Sequence, residues 1–216
     1  MNREYRALFA AVAVSQCLCG LAGVHIDDLG ILAPPATLHG YTMTPFAPDG
    51  RPTGEGSALV SDVPLPAPYS GVITFPSDRQ HGVVPLNWTT WSHGYSGDVY
   101  YNGSRYGGIY LPVGTQAFYF YVEPNAMASY DITVRSGNAL VTLPVDGNGG
   151  ARGFGVWADG GDTLDGVNIS SLTYFWTSFA VGEFGIAAVA VPEPSTWLAG
   201  IGALGMFGLF GRKSGK

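Results

Sequence analysis

Between two apolar terminal segments, this chain contains no run with the spacing of an amphipathic helix. Its apolar residues come instead in short stretches rich in Val, Ile, Thr, Tyr and Phe, cut by Gly, Asn and Asp. That is the pattern of strands joined by turns. The spacing predicts strands at Gly71 to Phe75, Asp98 to Tyr101, Gly108 to Leu111, Ala117 to Val122, Tyr130 to Arg135 and Ala139 to Val145. Further strands are predicted at Gly153 to Ala158, Val167 to Thr177 and Phe184 to Val189, and Val24 to Asp28 can supply one more. Asn102-Gly103, Asp146-Gly147 and Asp159-Gly160 have the chemistry of hairpin turns. In Phe118-Tyr119-Phe120-Tyr121 both alternating faces are aromatic, which predicts a central strand with neither face in water. The stretch from Pro34 to Pro68 is Pro- and Gly-rich and poorly periodic, so it reads as long loops. Together these features predict an all-β body, a jelly-roll-type β-sandwich over residues 23–190. That length is sufficient for a hydrophobic core without covalent staples.

The body has no use for cysteine. Cys17 and Cys19 both fall in the first 22 residues, where Arg3 and Arg6 precede an apolar or small-residue run from Ala7 to Ala22. This is the layout of a secretory signal peptide with cleavage after Ala22. Past that point the basic residues of the body are Arg51, Arg79, Arg105, Arg135 and Arg152, without a lysine, and acids outnumber them well over two to one. Such a surface argues against nucleic acid as a partner.

The C-terminus is built in three parts. Val191-Pro192-Glu193-Pro194-Ser195 cannot join a helix, because each proline fixes φ and removes a donor. An apolar run from Trp197 to Phe210 follows, fourteen residues long, or about 21 Å as a helix against a hydrocarbon core of about 30 Å. Gly200, Gly202, Gly205 and Gly208 weaken it further, so it suits a transient membrane anchor. Arg212, Lys213 and Lys216 close the chain on the cytoplasmic side. These parts resemble the PEP-CTERM sorting signal of Gram-negative bacteria. The resemblance implies an exosortase of the inner membrane as partner, with Pro192, Glu193 and Pro194 as the processing element and Arg212 and Lys213 as the stop. It also implies secretion, an inner-membrane intermediate, and final placement at the cell surface or in the extracellular matrix. Through Trp88 to Tyr100, Phe118 to Asn125 and Phe179 to Ile186, the body resembles β-sandwich domains carried ahead of such tails, which implies a class but no activity.

The richest side-chain cluster in the body is Trp88 to Tyr110. Trp88, Trp91, His93, Tyr95 and Tyr100 are candidate glycan-binding residues, since rings pack on the apolar face of a sugar while polar neighbours bond its hydroxyls. The competing reading is that the rings fill the core. Asp159, Asp162 and Asp165 stand at three-residue intervals in a Gly-rich turn and are candidate calcium ligands, although a solvated acidic hairpin is the favoured reading. Catalysis has little support. His93-Gly94-Tyr95-Ser96-Gly97-Asp98 lacks the nucleophile elbow, and His25, His39, His81 and His93 lack zinc-ligand spacing. The sequence therefore predicts a non-enzymatic, exosortase-sorted protein with a structural or adhesive role in the exopolysaccharide matrix and no obligatory cofactor. A lectin-like module is the alternative.

Overall fold

The computed structural model describes residues 23–54, 59–171 and 177–189. The expected leader over residues 1–22, the expected anchor over Trp197 to Phe210, and residues Pro192, Glu193, Pro194, Arg212 and Lys213 lie outside the described residues. Among those described, no helix is long and apolar enough to cross a membrane. The regular elements are strands: β1 (Val24–Gly30), β2 (Thr37–Leu38), β3 (Tyr41–Thr42), β4 (Thr44–Pro45), β5 (Leu59–Pro64), β6 (Val72–Val83), β7 (Asp98–Asn102), β8 (Tyr106–Tyr110), β9 (Thr115–Pro124), β10 (Ser129–Ser136), β11 (Ala139–Asp146), β12 (Arg152–Ala158), β13 (Gly166–Ser171) and β14 (Phe179–Ala188).

Twelve of these strands form one antiparallel sheet in the order β1-β12-β9-β14-β7-β6-β8-β13-β10-β11, with β4 added on β14 and β5 on β6. The sheet curls until β1 packs against β10 and β11 at its far edge, giving a nearly barrel-shaped body. The expected all-β class is met. A jelly roll divides its strands between two sheets, whereas here one hydrogen-bonded path runs from β1 to β11, so the order does not establish that topology.

β9 shows why the sheet folds over. Phe118, Phe120 and Val122 point into the enclosed core, where they meet Phe154, Ile132, Phe179 and Ile186. Burying each such side chain is worth roughly 1.5–3 kcal/mol. Tyr119 and Tyr121 point the other way, into a second apolar layer with Leu38, Met43, Val84, Trp91 and Val99. As the aromatic alternation predicts, neither face of this strand is wet. The second layer is roofed by the β2–β3 hairpin and by the loop of residues 84–97 between β6 and β7. Glycines opposite the tyrosines make room for the rings: a Cβ on Gly153 would stand 2.6 Å from Tyr121 Cζ.

Two expectations need correction. Residues 34–68 are not all loop: β2 to β4 and the six-residue β5 lie there, and β5 pairs with β6 from Leu59 to Pro64. Val60 and Val63 supply its buried positions, and a register shift between Val60 and Asp62 breaks the simple alternation. The three turn dipeptides also reverse the chain without joining paired strands. β7 and β8 both pair with β6 rather than with each other, and β11 and β12 belong to different parts of the sheet. Turn chemistry fixes a local reversal, while the burial of each face selects the partner.

One buried charge stands out. Arg79 is fully buried, with its guanidinium 5.2 Å from the Phe75 ring centroid and one N–H donated to Gly108 O at 3.2 Å. Its Nε and Nη1 have no hydrogen-bond partner among the described residues, and burial pushes its pKa down to about 10.

Candidate functional site

The 84–97 loop is held to the sheet by two glutamates, Glu123 buried and Glu183 partly buried. Glu123, near the end of β9, accepts from Trp88 Nε1 at 2.6 Å, from Thr90 Oγ1 at 3.1 Å and from the Gly149 amide at 3.1 Å. Glu183 accepts from Trp91 Nε1 at 3.0 Å and lies 2.7 Å from His93 Nε2. A bulge on β14 sets up the second anchor: the β9–β14 register shifts between Gly182 and Gly185, and Glu183 takes φ +53°. That left-handed turn aims a carboxylate out of the ladder toward the loop. Burial pushes the Glu123 carboxyl up to about 7 against the opposing pull of the Trp88, Thr90 and Gly149 bonds. Burial raises Glu183 as well, against the bonds from His93 and Trp91.

Beside the Trp88 anchor lies a cleft of about 590 Å³. Its walls are the end of β6 (Gln80, His81, Gly82), the loop (Asn87, Trp88, Thr89, Thr90), β7 (Val99, Tyr101), and the last residue of β9 with the turn after it (Pro124 to Met127), with Gly147 beside them. The Trp88 and Tyr101 rings stand 5.7 Å apart at 40°. Gln80 and Tyr101 are register partners on β6 and β7. Gly82 lets the loop close over the strand end, because a Cβ there would meet Asn87 Oδ1 at 3.1 Å and Val99 Cγ2 at 3.3 Å. Glu123 sits behind the Trp88 wall and does not line the cleft.

A second polar network braces the other side of β7. His81 Nε2 lies 2.8 Å from Asp98 Oδ1, and the Asp49 amide donates to Asp98 Oδ2 at 2.8 Å. Asp49 also accepts from Tyr100 Oη at 2.7 Å and from Arg51 Nε at 2.5 Å. Burial works to raise the Asp49 carboxyl, but the Arg51 and Tyr100 bonds more than offset it and hold it below its ordinary value. Burial, reinforced by Asp49, raises the Tyr100 phenol.

The candidate glycan residues are thus dispersed. Trp88 alone lines the large cleft. Trp91, 8% exposed, belongs to the second layer; His93 faces Glu183; and Tyr95 donates to Asp98 O at 3.1 Å. Tyr100, 1% exposed, stacks on His81 and Phe184 in the interior. Tyr106 and Tyr110 are exposed on a different part of the sheet. Gln80, Asn125 and Met127 join Trp88 in the cleft without any local sequence signal, being brought there by strand register and by the turn after β9.

The three aspartates of the Gly-rich turn do not gather. Asp159 is turned onto the Gly23 amide at 2.7 Å and toward His25 Nε2 at 3.2 Å. Among the described residues no group of three or more His, Cys, Asp or Glu side chains is placed to hold a metal ion.

The geometry describes an all-β body presenting a cleft lined by no Asp, Glu, Lys or Arg, beside a rigidly anchored loop. The tail defines how the protein is handled: the family model of the PEP-CTERM protein-sorting motif matches residues 190–214. The chain therefore carries a PEP-CTERM sorting motif, a signal for export and exosortase-mediated sorting to the cell surface or extracellular space. No curated protein and no solved structure matches the chain.

Proposed function

We propose that the exported body is a non-enzymatic, adhesive component of the extracellular matrix, associated with exopolysaccharide. Residues 1–22 serve as a cleaved leader, and Trp197 to Phe210 as a temporary anchor in the inner membrane. The observation that carries this reading is how the two anchoring acids are used. Glu123 and Glu183 are committed to the loop's indole N–H groups, Thr90, Gly149 and His93, and neither lines the large cleft. Their placement suits a stiff recognition or assembly surface better than proton transfer to a substrate. A carbohydrate-binding role is the more specific version, favoured by the ring-and-amide lining of the cleft.

The test is fractionation of the native host followed by co-sedimentation of the recovered protein with that host's exopolysaccharide, with and without calcium. The expected result is saturable co-sedimentation in both conditions and release from cells when the polysaccharide is stripped. Absence of co-sedimentation, with protein left on stripped cells, overturns the adhesive reading.

A further inference from the structure

We propose that the Trp88–Tyr101 cleft is a binding site for a neutral saccharide segment, a specificity that rests on the adhesive reading above. The cleft's volume of about 590 Å³ falls within the range of about 300–1,000 Å³ usual for small-ligand sites.

Its chemistry restricts the ligand. No Asp, Glu, Lys or Arg lines it. The one imidazole in its walls, His81, has both ring nitrogens turned to Pro52 O and Asp98 Oδ1, so an ionised ligand would lose hydration while any charge on His81 is already answered by Asp98, which is unfavourable. A purely apolar ligand would leave the free amide groups of Gln80, Asn87 and Asn125, and the Thr89 hydroxyl, covered without a hydrogen-bond partner. The ligand that suits both constraints is uncharged, carries many hydroxyls and has apolar C–H faces to lay against Trp88 and Tyr101.

The polar groups are already set for such a partner. Asn87 Oδ1 accepts the Val83 amide at 2.6 Å, so this side chain offers its NH₂. Asn125 Nδ2 donates to Tyr101 Oη at 3.1 Å, so Asn125 offers its oxygen. Donor and acceptor are therefore both available, and a sugar hydroxyl satisfies each. The rings are pre-positioned too: the Trp88 N–H is held by Glu123, and the Tyr101 hydroxyl lies 2.9 Å from Ser178 Oγ. Little side-chain freedom is left to lose on binding, which favours affinity. At the rim, Met127 is 74% exposed, and its flexible thioether can adjust to the apolar face of a sugar ring.

The experiment uses the mature protein recovered from its host and three probes: neutral oligosaccharides released from the host matrix, a uronic-acid oligosaccharide, and whole exopolysaccharide. Binding is read by tryptophan fluorescence and by co-sedimentation. The wild type is expected to bind the neutral pool and not the uronate. Asn125→Ala and Gln80→Ala, which touch neither glutamate anchor, should each weaken that binding about tenfold, the equivalent of one lost hydrogen bond. Trp88→Ala should abolish it. Because Trp88→Ala also removes a donor from Glu123, circular dichroism accompanies each variant, and Asn125→Ala and Gln80→Ala keep the test decisive if Trp88→Ala misfolds. Tyr106→Ala, on another part of the sheet, should bind as wild type. Neutral-sugar binding unchanged in Asn125→Ala and Gln80→Ala overturns the cleft as the site, and preferential binding of the uronate overturns the ligand class. Retention on whole exopolysaccharide without any oligosaccharide binding overturns the cleft and leaves the adhesive reading standing. Failure to bind all three probes overturns both.

Discussion

The indole N–H of Trp88 donates to Glu123 Oε2 at 2.6 Å, joining a loop ring to a strand carboxylate 35 residues further along the chain. Its counterpart, Trp91 on Glu183, spans 92 residues. The two bonds fix adjacent turns of one loop to neighbouring strands of the sheet, since β9 and β14 pair directly. The loop is thus tied to the most buried part of the fold, and the cleft wall it supplies inherits that rigidity.

The Glu123 anchor makes stability depend on pH in a definite direction. Its carboxyl has an ordinary value of 4.5 and is pushed up to about 7 in the folded protein. Between those values the folded state keeps a proton that the unfolded state has released. The associated stabilisation is complete below about 4.5 and is lost as the pH rises to about 7, by at most roughly 3 kcal/mol. Glu183, also raised, adds to the same trend, while Asp28 and Asp49, both lowered, act in the opposite sense only under strongly acidic conditions. The melting temperature is therefore expected to fall from pH 5 to pH 8, and Glu123→Gln should flatten that fall. A wild-type melting temperature that climbs steadily over this interval would show that the three donors, not burial, govern Glu123.

Arg79 gives a prediction of opposite character. Its guanidinium is fully buried, and two of its nitrogens have no hydrogen-bond partner among the described residues. A charge in that setting costs several kcal/mol, and an apolar replacement of similar length is often neutral or stabilising. Arg79→Met should raise the urea midpoint at neutral pH by the equivalent of about 1–3 kcal/mol. A loss of similar size would mean that the arginine is stabilised by a partner other than the Phe75 ring and Gly108 O.

Export depends on residues outside the described body. Substituting Glu193 in the Pro-Glu-Pro element matched by the PEP-CTERM model should block processing while leaving the body folded. Glu193→Ala is expected to accumulate as full-length precursor in the inner-membrane fraction, with little protein at the cell surface. Normal surface delivery of this variant would separate the motif from the sorting step.

The strand class was legible because burial on both faces of β9 leaves a direct trace, the aromatic run Phe118 to Tyr121, and because turn residues punctuate the strands. β5 was not legible: the bulge near Ser61 breaks the period-two pattern, and the strand runs into Pro64, with Pro66 and Pro68 just beyond it. The site was legible only in part. Ring density marked the 88–110 region, but local sequence does not say which ring meets which glutamate when 35 and 92 residues separate the partners. Trp91 and Tyr100 carry the same composition signal as Trp88, yet the sheet buries the first two and places the third on a cleft wall. Gln80 enters the cleft solely through its register with Tyr101, and Glu183 reaches the loop through a backbone turn of φ +53°. Neither leaves a mark in local composition.

The glycine content of the body, read from sequence only as turns, has a second role that substitution can expose. Gly185 sits in β14 opposite Tyr119 on β9, and a Cβ there would fall within the Tyr119 ring. The ring is 3% exposed and packs in the layer beneath the anchored loop, so it cannot swing into solvent without opening that layer. Overpacking of this kind typically costs about 1–3 kcal/mol, or a fall of roughly 2–12 °C in melting temperature for a body of this size. Gly103→Ala is the matched control: its added Cβ meets nothing within 4 Å, and a surface change of that type stays within about 0.5 kcal/mol. Gly185→Ala is therefore expected to melt well below Gly103→Ala, with tryptophan fluorescence shifted as Trp91 loses its packing. Equal melting temperatures for the two variants would show that Tyr119 has another rotamer available, and that the second layer is looser than its burial indicates.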